Sequence, residues 1–220
     1  GSRVVAQVQF SARYRSAKSE RMKYFVDQAL SDISFEVSHL SFSSVKGKFT
    51  AFSGEMHVDS DIAKGPPHLI ADVSFIEISV ASLDAGMGEV ANSRTLSAMD
   101  ATQFPLMRCT LAGPSVPSAD ASSGSACMVV GRVTIRDVEQ EVPFQVTFDP
   151  HSAPGQDVLR CSVTATLDRF AFGVCSAWPS MAVGRYVTLR ASIVASLDAT
   201  LPGQGQMPED AALGEEVVGA

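Results

Sequence analysis

The sequence predicts an all-β fold, a single antiparallel barrel of about eight strands around an apolar interior. Three observations carry this expectation. Apolar and polar residues alternate with a period of two through most of residues 33–197, as in strands with one face in a core and one in water. Turn residues punctuate the runs at Lys64-Gly65-Pro66-Pro67, Ala112-Gly113-Pro114, Asp149-Pro150 and Pro154-Gly155, where glycine's freedom and proline's missing N–H favour a change of direction. Helical periodicity is scarce and is predicted only for a short helix over 88–100, with Asn92 or Ser93 as its N-cap.

In chain order, the first strand is Ile33-Ser34-Phe35-Glu36-Val37-Ser38-His39, which puts Ile33, Phe35 and Val37 on one face with His39 at its end. Lys48 to Val58 carries Phe49, Phe52, Met56 and Val58 around a Ser53-Gly54 break. Ile70 to Leu83 is one long β-rich run with Ile76, Ile78 and Val80 on a shared face. Gln103 to Leu111 contributes Met107, Cys109 and Leu111, and Ala126 to Arg136 follows it. Glu141 to Phe148 contributes Val142, Phe144 and Val146; Leu159 to Leu167 and Tyr186 to Leu197 close the set. The rows Ile33, Phe35, Val37 and His39; Ile76, Ile78 and Val80; Met107, Cys109 and Leu111; and Val142, Phe144 and Val146 are the predicted inner wall. A barrel of this size either fills its interior with side chains or leaves room for a ligand, and the rows fit both.

Hydrophobic residues make up 45% and charged residues 19% of the 220 residues, which argues for a packed domain rather than a disordered chain. The net charge of -7 is uneven. Residues 1–23 form a basic extension with Arg3, Arg13, Arg15, Lys18, Arg21 and Lys23 against Glu20. Within the tail 198–220, residues 201–220 carry Glu209, Asp210, Glu215 and Glu216, and their Gly, Pro and Glu content predicts disorder. The domain between them, 24–197, is acidic, which argues against nucleic acid as the main partner because phosphates need a basic face. Gly1-Ser2 reads as a cloning scar, and a signal sequence is expected to have preceded it. The chain has no apolar run of the length a membrane helix needs.

Residue chemistry points away from catalysis. His39, His57, His68 and His151 are scattered without metal-ligand spacing, so neither a metal site nor a cofactor is expected. No G-x-S-x-G or phosphate-loop pattern is present. Asp168-Arg169 is read as a structural or head-group pair rather than an acid–base pair. Trp178, beside Pro179, is read as loop packing. None of Cys109, Cys127, Cys161 and Cys175 forms a C-x-x-C pair. A Ser-rich hairpin loop is expected over 115–125, and Cys109 and Cys127 lie equally far from its centre, which makes them a candidate disulfide.

Several short motifs resemble those of the YceI-like family, in order and spacing. They are Tyr24-Phe25-Val26-Asp27, the strand ending in His39, Val45-Lys46-Gly47-Lys48-Phe49 and Phe52-Ser53-Gly54. Ser82-Leu83-Asp84-Ala85-Gly86, Ala101 to Pro105, Gly131-Arg132-Val133-Thr134-Ile135-Arg136-Asp137-Val138 and Asp168-Arg169-Phe170-Ala171-Phe172-Gly173 follow. The sequence departs from the family pattern at Ala85, at Ser93-Arg94-Thr95-Leu96, at Asp137 and at Asp168. The resemblance implies an extended lipocalin-like barrel of eight antiparallel strands. It further implies a non-enzymatic protein of the periplasm or cell exterior that holds a polyisoprenoid, fatty-acyl or similar amphiphile inside the barrel. The inner-wall rows would then line the ligand, and Arg94 or Arg169 would meet an anionic head group. A homodimer is a further implication. The basic segment 1–23 suggests contact with an anionic membrane. The competing expectation is a filled barrel acting as a protein-interaction module.

Overall fold

Among the described residues, period-two alternation becomes thirteen strands, eight of which close a barrel. The computed structural model describes residues 21–40, 43–59, 67–113, 116–117, 126–152, 155–174 and 182–197. The basic residues up to 20, the loop over 118–125, Cys175, Trp178 and the tail from 198 lie outside the described residues. In chain order the strands are β1 (Arg21–Val26), β2 (Asp32–His39), β3 (Ser43–Phe49), β4 (Phe52–Asp59), β5 (His68–Leu69), β6 (Phe75–Ser79) and β7 (Leu83–Asp84). After helix α1 (Glu89–Ala98) come β8 (Leu106–Leu111), β9 (Val116–Pro117), β10 (Ala126–Ile135), β11 (Val138–Phe148), β12 (Val158–Asp168) and β13 (Val183–Ser196).

The barrel runs β1-β4-β6-β8-β10-β11-β12-β13 and returns to β1, every pair antiparallel. One edge of β13 does two jobs. Its C-terminal end closes the seam against β1 at Phe25↔Ser196 and Val26↔Ala195. Its N-terminal part pairs instead with β2, which carries β3 and β7 outward. The barrel is therefore prolonged on one side by the β2–β3 hairpin. β1 starts at Arg21, so the boundary drawn at residue 23 falls inside a strand whose Met22, Tyr24 and Val26 face inward while Arg21 and Lys23 face water.

The long run expected over 70–83 is interrupted. Residues 71–73 form a turn, with Asp72 at φ +63°, and a 3-10 turn over Val80–Ser82 ends β6. The break in the 48–58 run falls at Thr50-Ala51 rather than at Ser53-Gly54. The helix is present, but its N-cap is Gly88 at φ +85°, and Asn92 sits inside it. The disulfide expected between Cys109 and Cys127 is not formed; both are free thiols. β8 and β10 pair as Cys109↔Val133, so the residue opposite Cys109 is Val133 and not Cys127. Cys127 is six residues further along β10, about 20 Å at strand rise.

Candidate functional site

Inside the barrel lies a cavity of about 570 Å³, lined almost wholly by apolar side chains. That volume falls within the range of small-molecule sites, about 300–1,000 Å³. Cross-strand rows build its wall. Ile33, Ala191, Val163 and Val146 form one row across β2, β13, β12 and β11. Ile76, Cys109 and Val133 form another across β6, β8 and β10. Because the side-chain period is two, each row comes from one parity of its strand. Gly131 makes room in the wall for a large neighbour. A Cβ at Gly131 would lie 2.7 Å from the Phe144 ring and 3.0 Å from the Cys109 Sγ. The absence of that one carbon lets the Phe144 ring occupy the lumen.

Of the predicted inner wall, Ile33, Phe35, Val37, His39, Ile76, Ile78, Met107, Cys109, Leu111, Phe144 and Val146 line the cavity. Val80 and Val142 do not; both are buried in the surrounding core. Val80 leaves the wall because the 3-10 turn carries it off the β6 face, where its N–H donates to the Pro105 carbonyl (2.9 Å). The β12–β13 part of the wall, including Val163, Leu189 and Ala191, was not singled out from sequence, although alternation in both strands marks it. Nor were Met87, Val90 and Thr95 at the mouth, where short helical spacing gives little signal.

Few polar side chains reach the cavity, among them His39, Glu55, Ser74, Arg94, Arg108 and Arg169. Arg169 is only 6% exposed. Its guanidinium donates to the backbone carbonyls of Gly184 (2.8 Å), Val183 (2.8 Å) and Val174 (3.2 Å). It thus holds the β12 end to the start of β13. Neighbouring Asp168 is held by Arg185, at 2.6 and 2.9 Å, and that hydrogen bond keeps its carboxyl below the usual carboxylate range. The pair read from sequence as Asp168-Arg169 is therefore two separate anchors. Arg94 lies on α1, exposed to solvent while lining the cavity. Burial pushes the Glu55 carboxyl up, yet Lys23 (2.8 Å) and His57 (3.3 Å) together hold it below the usual range. The Cys109 and Cys161 thiols face the cavity, and burial pushes both up to about 12. Thiols held protonated at neutral pH are poor nucleophiles, so they act here as small apolar wall residues.

α1 covers part of the mouth. Met87 and Val90, 55% and 68% exposed, line the cavity and face solvent at once. The Asn92 side chain reaches back from the helix, where its Oδ1 accepts the Ala85 N–H (2.7 Å). Asp84 accepts the Gly86 N–H (2.9 Å) and the Asn92 Nδ2 (3.5 Å), and these bonds hold its carboxyl below the ordinary range. No helix among the described residues is long and apolar enough to cross a membrane.

Comparison with known proteins agrees with this architecture. No curated protein matches the chain. Among solved structures, Burkholderia cenocepacia BcnA is similar at 22% identity and TM-score 0.63, covering 78% of this chain and 99% of its own. A polyisoprenoid binding domain from Saccharophagus degradans, implicated in plant cell wall breakdown, is similar at 13% identity and TM-score 0.55, covering 80% and 99%. The Campylobacter jejuni YCEI protein is similar at 18% identity and TM-score 0.59, covering 72% and 88%. These identities speak to the fold. The family model of the YceI-like domain matches residues 24–195, most of the closed barrel from within β1 to the seam end of β13, and by that match the chain belongs to the YceI-like family.

Proposed function

We propose that this protein binds and sequesters or carries a long-chain apolar ligand, such as a polyisoprenoid or fatty-acyl amphiphile, inside its barrel. The observation that carries the reading is the 570 Å³ apolar cavity. A barrel acting only as an interaction module has no use for such a space, and an empty cavity forfeits packing energy. Membership of the YceI-like family and the fold shared with a polyisoprenoid binding domain support the same reading. The driving force is desolvation. Each buried methylene contributes about 0.8 kcal/mol, so ten give roughly 8 kcal/mol gross, enough to offset several kcal/mol of lost freedom.

In this reading the tail fills the lumen and the head group stays at the mouth. Arg94 is the residue that meets an anionic head, because Arg169 spends its donors on backbone carbonyls. The protein works as a carrier and not as a catalyst, in the periplasm or outside the cell. Basic residues ahead of β1 bring it to anionic membrane from which ligand is drawn. Organic extraction of protein purified without detergent, followed by mass spectrometry, tests the proposal. Stoichiometric long-chain lipid is expected. Absence of lipid, together with no binding of a fluorescent polyene fatty acid, refutes it.

A further inference from the structure

We propose that α1 is a latched lid, pivoting near Met99, that must lift for ligand to pass, so that it sets exchange rates rather than affinity. The inference rests on the carrier reading above. The inner side of the segment forms cavity wall through Met87, Val90, Ala91, Arg94, Thr95 and Met99. Yet no residue of Glu89–Ala98 is buried, whereas a helix seated permanently on a barrel buries one stripe. Among the described residues, every hydrogen bond made by residues 87–103 closes within residues 84–104. Among the described residues, the helix is bonded to a strand only at Asp84 of β7, beside its own N-terminus, and not to the eight strands that close the barrel.

The two ends differ. At the C-terminal end Met99 is buried in the core and Leu96 packs against it. At the N-terminal end Gly86 and Gly88 take φ +67° and +85°. Gly88, with ψ 176°, lies in a region open essentially to glycine alone. The helix is thus anchored at one end and joined to β7 through two glycines at the other. Asn92 is the latch, holding the helix down on the Ala85 N–H and the Asp84 carboxylate. Opening breaks these side-chain bonds, and because no residue of Glu89–Ala98 is buried it leaves the core packed, the signature of a low-energy local transition. If ligand enters and leaves only through the open form, raising that population speeds both directions equally and leaves their ratio unchanged.

Stopped-flow uptake and release of cis-parinaric acid, an eighteen-carbon polyene fatty acid, tests the lid on the full chain. Asn92→Ala should raise both rates about fivefold, as expected for losing the half-buried bond to the Ala85 N–H, the 3.5 Å contact with Asp84 adding little, with Kd changed less than twofold. Gly88→Ala, which strains the closed junction, should move both rates the same way. Ser97→Ala, an exposed position on the same helix outside the cavity wall, should leave them unchanged. In wild-type protein, α1 amides should exchange with solvent faster than those of β10–β13 and slow on adding parinaric acid. Binding with rates unmoved in Asn92→Ala and Gly88→Ala overturns the lid alone, as does α1 protection equal to that of the barrel strands. Failure of wild-type protein to bind the probe removes the carrier reading and the lid with it.

Discussion

Tail length is the sharpest lever on the carrier reading. At roughly 30 Å³ per carbon-sized group, the share one water takes in the liquid, a 570 Å³ lumen holds on the order of twenty groups. Until the lumen is full, each added methylene contributes about 0.8 kcal/mol, a roughly fourfold gain in affinity. Saturated fatty acids of eight to twenty-six carbons, displacing cis-parinaric acid, should therefore show affinity climbing steadily and then levelling at about twenty carbons. Ala191→Leu moves the break. Ala191 lies in the wall between Ile33 and Val163, and leucine adds three carbons there. The plateau should come about three carbons earlier while affinity for shorter acids stays nearly constant. A flat series from eight carbons on, or a break that Ala191→Leu leaves in place in a folded protein, would refute the lumen as the tail site.

Other consequences can be measured without a ligand. Arg169→Met leaves three backbone carbonyls without their guanidinium donors at the β12–β13 junction; a loss of about 3–5 kcal/mol is expected, read as a fall in Tm on the order of 10 °C, and an unchanged Tm counts against the anchor. Gly86→Ala puts a Cβ 2.7 Å from the Lys46 carbonyl oxygen at φ +67°; about 1–3 kcal/mol of strain should lower Tm by several degrees. The cavity thiols should resist iodoacetamide at pH 8 and react once the protein is unfolded in urea. Their proton is held to about 12 in the folded protein against an ordinary value of 9.0. The unfolded chain therefore loses its thiol protons first, so stability is intact below pH 9 and falls as pH rises from 9 towards 12. The variant with Cys109→Ala and Cys161→Ala should lose less stability over that interval than wild type; equal slopes would show that the thiols do not contribute.

What was legible in the sequence was parity. From Ile33 to His39, and at Phe144 and Val146, the residues that alternation points inward lie along the cavity, while Val142 in the same β11 row is buried in the core beside it. Parity failed where the backbone leaves the strand. Ile70 to Leu83 has uniform β propensity, but Asp72 takes a positive φ and Val80 begins a 3-10 turn, neither of which composition reveals. β1 was hidden differently. Its Met22, Tyr24 and Val26 alternate cleanly, but Arg21 and Lys23 between them read as continuation of the basic segment. Cys109 and Cys127 show the limit of counting back from a turn, since the β8–β10 register is offset from the symmetric one. The cavity itself was not legible. Its existence depends on the radius of the closed sheet and on which large residue faces which small one, as Phe144 faces Gly131, and both emerge only after closure.

The β1–β13 seam joins residues 25 and 26 to 196 and 195, so the two ends of the barrel domain meet about 170 positions apart. No barrel can exist on a ribosome until almost the last strand has emerged. Until then β1 and β13 each lack their closing neighbour, and the lining of the future cavity is open to water. Contacts this distant fold slowly, and the unclosed sheet offers free edges to other chains. A chain that ended before Ala195 would keep most of its strands and lose the circle. The same closure that encloses the apolar interior leaves that interior exposed for longest while the chain is being made.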